Sequence, residues 1–359
     1  MKKLVILQTV VPDYRKKVFN YINEELGAFF SLYAGEQYFE KSIKSDQTIS
    51  FRETLKNLYF FKRKFLFQTG MWNEVIADNI MVLEMNPRIL SNWLILVLRK
   101  MFKKQTLLWG HAWPRSGSKG KADFLRHLMR SLGSQIVVYT ETQKTELKKK
   151  MPEKPIFSAP NSVFYKEEMS FINDENSCYN IIYVGRLIKS KKPMVLIKAF
   201  EQAIKHIPEN CNLLIVGDGP ERNSLEEYIE RTSLSKRIKT FGHISEYETL
   251  KKLYDTSIIS VSPGYIGLSV TQSFGFGVPM IVSKDENHSP EIEAVIDGFN
   301  AVYFETDNVD SLSRILIDEI RNKKQWVAKR EEICNFCKEN YSVEVMARHF
   351  IKSPKLCNI

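Results

Sequence analysis

Two cations and a set of loop glycines are the residues of this chain best suited to chemistry. The apolar run Asn180–Val184 ends in Gly185-Arg186-Leu187, and Lys191 follows five residues after Arg186. A strand-end glycine lets the backbone turn sharply, which sets the arginine and the lysine at the C-terminal edge of a sheet. Fixed cations there can hold a diphosphate and neutralise the charge that builds as a bond to it breaks. A second feature spans residues 258–293. The β-branched run 258–261 reads as a buried strand. Ser262-Pro263-Gly264 breaks it, and beyond Tyr265, Ile266 and Gly267 the positions Leu268, Val270 and Phe274 take helical spacing. Gly275, Gly277 and Pro279 end that helix, and residues 280–282 form another short strand. A helix N-terminus behind a glycine-bordered loop offers unsatisfied N–H groups and the positive end of a dipole, a seat for a diphosphate. Two more strand-end glycines read similarly. Gly217, in Val216-Gly217-Asp218-Gly219-Pro220, gives a tight turn open to a ligand. Phe241-Gly242-His243 sets a glycine where a base could lie against the backbone, with His243 either a ligand contact or an ordinary loop histidine.

The elements that must position these residues come in two series. A chain of 359 residues exceeds one ordinary core, so two domains are expected, and 43% hydrophobic content is enough to build both cores. In the first series, strands at 4–7, 29–33, 80–84, 106–109 and 136–139 alternate with helices at 14–25, 90–102, 121–132 and 141–150. In the second, strands at 180–184, 212–216 and 238–241 alternate with helices at 191–206, 221–232 and 246–254. Alternation of short buried strands with helices predicts parallel sheets covered on both faces. We therefore expect Rossmann-like domains at 1–161 and 179–340, a polar linker at 162–178, and ligands in the cleft between the domains.

The five cysteines show no disulfide framework, and Cys334-Asn335-Phe336-Cys337, with no second pair, reads as helix packing rather than a zinc site. Residues 4–7 read as a first strand rather than a leader, because Gln8 stops the apolar run and no small-residue cleavage site follows. No stretch approaches the roughly 20 apolar residues that span a bilayer. Charge is uneven. Residues 1–160 hold 27 of the 52 basic side chains and 14 of the 42 acidic ones, a net +13, and the remainder nets −3. Such a half could meet nucleic acid or an anionic membrane, or could simply be a soluble basic surface. No nucleic-acid-reading motif is present, so nucleic acid is not an expected partner. Phe60, Phe61, Phe65, Leu66 and Phe67 interleave with Lys62, Arg63 and Lys64, as in an interfacial segment or as in a core strand with solvated lysines. Lys103-Lys104 and the helix carrying Lys121, Arg126 and Arg130 could dock on anionic lipid with them.

The order GRL…K, VGDGP, FGH, SPG…GL…GVP and PE…DG resembles the retaining glycosyltransferases of family 4, which have the GT-B fold, and the likeness covers the second domain. Pro12-Asp13-Tyr14-Arg15 with Phe19, and Leu108-Trp109-Gly110-His111, are similar to a bacterial surface-polysaccharide subgroup. Ala159-Pro160-Asn161 is similar to the family's interdomain segment. Residues 341–359 look like its last helix, which crosses back onto the first domain. The resemblance implies two Rossmann-like domains facing across a cleft. Arg186 and Lys191 would grip the diphosphate of a nucleotide-sugar. Gly185, Gly217, Gly242, His243, Gly264, Tyr265, Ile266, Gly267, Leu268, Gln272 and Glu291 would line the donor site. His111 would sit under the transferred sugar, and Tyr14, Arg15 and Arg115 would lie on the acceptor side. One departure stands out. Many members carry two glutamates eight positions apart where this chain has Gly264 and Gln272. Gln272 can still hydrogen-bond a ribose, whereas a glycine cannot replace a carboxylate; Asp285, Glu286 or Glu291 could supply the missing charge.

The implied activity moves a sugar from a UDP-sugar to a lipid-linked oligosaccharide in O-antigen, capsule or exopolysaccharide synthesis. It would do so in the cytoplasm, peripheral on the inner membrane face, with no cofactor and, since no DxD-type pair stands at a strand end, no metal. A nucleotide-sugar epimerase or hydrolase, or a non-catalytic nucleotide-sugar binder, are the alternatives.

Overall fold

The strand signal is cleanest at the start of the chain, where Leu4, Val5, Ile6 and Leu7 are all buried. Apolar side chains on both faces of one strand require cover on both faces of its sheet. The structure, a computed structural model, describes residues 1–113, 123–232 and 234–356; Arg115, Lys121 and Cys357 lie outside them. The chain divides into two units, Met1–Val163 with Val343–Ile359, and Phe164–Ser342.

The first unit runs β1 (Lys3–Gln8), α1 (Lys16–Leu26), β2 (Phe30–Ala34), β3 (Arg52–Thr54), β4 (Lys56–Phe60), β5 (Phe65–Thr69), α2 (Trp72–Val75), β6 (Asn79–Glu84), α3 (Leu90–Met101), β7 (Thr106–Trp109), α4 (Asp123–Leu132), β8 (Gln135–Val138), α5 (Glu141–Lys150) and β9 (Ile156–Ser158). Its parallel sheet has the order β3-β2-β1-β6-β7-β8-β9. Helix α1 buries Val18, Phe19, Ile22 and Leu26, one face at helical spacing, and ends at Gly27 with φ +51°. Thr140 caps α5 by accepting the Gln143 N–H.

The β4–β5 antiparallel hairpin stands apart from that sheet. Its sequence is neither wholly core nor wholly interfacial: Leu66 is buried, while Phe61 at the tip is 76% exposed. The tip is held in an unusual shape, with Phe61, Lys62 and Arg63 all at positive φ. Arg63 donates to the Tyr38 and Phe39 carbonyls, and Arg88 donates to the Arg63 and Lys64 carbonyls, which fixes it there.

The second unit runs β10 (Asn180–Val184), α6 (Pro193–Ala203), β11 (Leu213–Val216), α7 (Arg222–Arg231), β12 (Ile238–Thr240), α8 (Tyr247–Asp255), β13 (Ser257–Ser262), α9 (Ser269–Gly275), β14 (Met280–Ser283), β15 (Ala301–Phe304), α10 (Val309–Arg321), α11 (Lys323–Ala328) and α12 (Arg330–Tyr341). Its sheet, β12-β11-β10-β13-β14-β15, is also parallel. The chain then returns to the first unit as α13 (Val343–Leu356), which packs on α1 and β1. Cys334 and Cys337 are buried on α12 and direct their thiols at the Gly275 and Thr271 carbonyls of α9.

Candidate active site

In a parallel α/β sheet, ligands meet the loops that leave the C-terminal strand ends. In the second unit those loops are stitched to one another. The Gly217 N–H donates to the Gly242 carbonyl at 2.7 Å, and the Gly185 N–H donates to the Val216 carbonyl at 3.0 Å. Gly217 has φ +149°, and a Cβ there would stand 1.8 Å from the Gly185 carbonyl oxygen. The strand-end glycines of β10, β11 and β12 therefore form one closely packed floor. His243 next to it is exposed and makes no hydrogen bond with the described residues.

Above β10 and β13 two loops close on each other. Tyr265 N–H donates to the Ser190 carbonyl at 2.9 Å. A Cβ on Gly264 would lie 2.5 Å from that same carbonyl oxygen and 2.9 Å from the Lys191 carbonyl carbon. This contact explains the absent carboxylate at position 264: no side chain fits there. The Lys191 ammonium reaches over the Tyr265 ring, 5.0 Å from its centroid, and lies 3.2 Å from where a Cβ on Gly267 would be. Burial lowers the Lys191 pKa to about 8; the Arg186 charge adds to that effect and Glu291 opposes it. Arg186 is exposed, and Glu291 is buried in the turn after β14. Tyr265 and Gly267 thus lie against Lys191, and the charges of Arg186 and Glu291 bear on it. A lysine partly stripped of water beside a second cation is poised to bind an anion. Ile266 is fully buried, Leu268 precedes α9, and Gln272 lies half-buried on it.

Of the neighbouring acidic residues, Glu286 is already engaged. Lys192 pairs with Glu286 at 2.5 Å and with Asp307 at 2.7 Å, tying together the loops after β10, β14 and β15. His288, on the same loop as Glu286, accepts the Ile266 N–H at 3.1 Å. Neither contact is visible in sequence, because each joins loops separated by whole β/α units.

In the first unit Arg15 lies against the Trp109 ring, 4.6 Å from its centroid, and donates to Gln8 Oε1 at 2.9 Å and the Tyr139 hydroxyl at 2.8 Å. Burial works against its charge, but Tyr139, Tyr14 and Glu84 more than offset this, so the guanidinium stays protonated. The His111 ring packs on Tyr139 with centroids 4.8 Å apart, and Tyr14 is 41% exposed beside Arg15. Glu84 accepts both the N–H and the hydroxyl of Thr9; burial raises its pKa against those bonds and against Arg15. Gln8, Glu84 and Tyr139 were not singled out from sequence. Their signal was available: each is a polar residue at, or just beyond, the C-terminal end of a buried strand.

Helix α4 departs from its sequence reading. Arg130 is fully buried, pairs with Asp123 at 2.7 Å and donates to the Ala112 carbonyl. Arg126 donates to the Met85 and His111 carbonyls. These arginines brace the His111 loop and do not form a cationic docking face; the outward side chains are Phe124, Leu125, His127 and Leu128. Among the described residues no three His, Cys, Asp or Glu side chains converge as a metal site would require.

Strand-end glycines and cations on a doubly wound sheet define a nucleotide-binding class of α/β domain. Residues 166–335 match the family described as Glycosyl transferases group 1. It is 26% identical over 185 residues to the alpha-monoglucosyldiacylglycerol synthase of Acholeplasma laidlawii, covering 51% of this chain and 44% of that protein. It is 23% identical over 180 residues to a Campylobacter jejuni alpha-1,4-N-acetyl-D-galactosaminyltransferase named for a diNAcBac-PP-undecaprenol glycan, covering 48% of each. The chain therefore spans less than half the length of these curated relatives. Among solved structures, Anabaena HepE in complex with UDP superposes with TM-score 0.72 at 13% identity, covering 99% of this chain and 100% of that one. The sucrose-phosphate synthase of Thermosynechococcus elongatus gives 0.68 at 16% identity, covering 99% of each. These likenesses show the fold: two Rossmann-like domains of the GT-B type.

Proposed function

We propose that this chain is a retaining glycosyltransferase of family 4 that transfers a sugar from a UDP-sugar to a hydroxyl of a lipid-linked glycan in bacterial surface-polysaccharide synthesis. The observation that carries the reading is the Arg186, Lys191 and Glu291 cluster around the Gly264-to-Gly267 loop, on a glycosyltransferase group 1 domain. Arg186 and Lys191 hold the diphosphate. As the bond from the sugar to the β-phosphate breaks, negative charge grows on the phosphate oxygens and the two fixed cations stabilise it. Gly185, Gly217 and Gly242 let the nucleotide approach the backbone. Glu291 takes the part of the missing loop carboxylate toward Lys191 and the sugar. HepE, as named, binds UDP, which favours uridine as the base. Tyr14 and Arg15 serve the acceptor side, and His111 sits under the transferred sugar.

The lipid-linked acceptor draws support from the Campylobacter relative's named undecaprenol-linked glycan and from the outer face of the first unit. There α3 exposes Leu90, Leu94, Val97 and Met101 at helical spacing, α4 exposes Phe124, Leu125 and Leu128, and the hairpin tip exposes Phe61 beside Lys62 and Lys64. Apolar side chains among lysines suit the headgroup region of an anionic inner membrane face.

Thermal-shift measurements with UDP, GDP, ADP and dTDP, and with their common sugars, test the reading. Stabilisation selective for uridine, lost in Arg186→Ala with Lys191→Ala, together with donor consumption in the presence of a lipid-diphosphate glycan, is expected. Stabilisation without consumption under any acceptor would make the protein a binder, and transfer to soluble acceptors without affinity for anionic vesicles would remove the membrane part.

A further inference from the structure

We infer that His288 is a positioning residue that latches the donor loop to the end of β14, an inference that rests on reading that loop as the seat of a nucleoside diphosphate. The Ile266 N–H donates to His288 Nδ1 at 3.1 Å, and His288 Nε2 lies 2.9 Å from the Ser283 carbonyl. Because Nδ1 accepts, the proton sits on Nε2, which donates to Ser283. A neutral imidazole therefore bridges the loop before α9 and the last residue of β14. Tyr265 N–H supplies the second tie, to Ser190. Both amides are used inside the protein, so neither is a phosphate donor. Their role is to turn the chain so that Gly267 faces Lys191.

The charged groups that bear on the ring are Glu286, on its own loop, and Lys191, from the turn after β10. Burial lowers the His288 pKa, Lys191 adds to this, and the Ser283 bond and Glu286 oppose it. A proton added at Nδ1 would face the Ile266 N–H, donor against donor, and that tie would break. The sign follows. With a depressed folded value, the latch is fully formed above the ordinary imidazole value of about 6.5 and is lost as pH falls through the lowered one.

Calorimetric titration with UDP of wild type, His288→Ala and His288→Asn tests the latch, together with hydrogen exchange at the Ile266 amide without ligand. Asparagine keeps an acceptor near the Nδ1 position and does not titrate. At about pH 7.5, His288→Ala should bind UDP about tenfold more weakly, while His288→Asn stays within about twofold of wild type. As pH falls through the lowered His288 value, wild type should lose affinity that His288→Asn keeps, beyond the loss both share from protonation of UDP itself. Ile266 exchange should speed up in His288→Ala and stay slow in His288→Asn.

Wild-type exchange at Ile266 in His288→Ala, or an undiminished acid loss in His288→Asn, would overturn the latch. If wild type binds no nucleoside diphosphate at all, the donor-site reading fails, and the exchange measurement alone decides whether His288 holds the loop. If His288→Ala does not fold, the two arms with His288→Asn carry the test.

Discussion

Lys191 holds the most consequential charge in the second unit. Its pKa near 8 means that the free protein loses this cation just above neutrality. We expect kcat/KM, which follows ionisations of the free protein, to fall above about pH 8. Lys191→Arg should remove that alkaline limb while retaining donor binding, since a guanidinium does not deprotonate in this range. Stability should move the other way. The folded value lies below the unfolded 10.5, so this group favours folding more as pH rises between the two. A pH–rate profile and a melting curve taken together check both signs. The glycines make a second residue-scale test. A methyl at Gly264 meets backbone, at Ser190 and Lys191, whereas one at Gly267 meets only the tip of a flexible lysine. Gly264→Ala should cost about 1–3 kcal/mol, measured by denaturant unfolding, and Gly267→Ala far less. Both glycines were legible in the sequence as loop residues. Why position 264 excludes a carboxylate was not, because the obstructing carbonyl belongs to a turn more than seventy residues away.

Periodicity revealed most elements because most carry one apolar face or are buried on both. The run 4–7, the helix at 90–102 and the strand, loop and helix around residues 258–275 all stand where their patterns put them. Elements set by pairing were harder to read. The β4–β5 hairpin turns through residues that disfavour positive φ, and Arg63 and Arg88 help hold its shape. Helix α4 misled because arginines normally face water. Arg126 and Arg130 instead find carbonyl acceptors, and Arg130 an aspartate, that sequence alone does not bring together. Helix α13 closes the first unit by setting Phe350 against Trp109, ring centroids 4.7 Å apart, and the same tryptophan ring carries Arg15. Phe350→Ala should therefore cost about 3–5 kcal/mol of first-unit stability and leave UDP affinity, a property of the second unit, unchanged. Calorimetric unfolding with and without UDP checks this. His349, stacked on Phe157, is held neutral by burial, which lowers its pKa to about 4. Its contribution is complete above about 6.5 and is lost as pH falls toward 4, so acid should loosen this helix first.

At the scale of the whole molecule, function divides along the chain. The basic excess lies in the first 160 residues, and Arg186 and Lys191, the cations proposed to hold the diphosphate, lie in a second half that is slightly acidic overall. Among the described residues no helix is long and apolar enough to cross a membrane. If the proposed membrane face is right, the basic excess makes binding to anionic vesicles weaken as salt rises, and Phe61→Ala with Met101→Ser should weaken it further at constant salt. Co-sedimentation measures both, and insensitivity to both would put the exposed apolar face to some other use. The central claim, that Arg186 and Lys191 hold a diphosphate, is tested most directly by titrating wild type and Arg186→Ala/Lys191→Ala with UDP and with uridine. Wild type should prefer UDP by about two orders of magnitude, and the double variant should bind the two alike. A double variant that keeps the full preference for UDP would contradict the account.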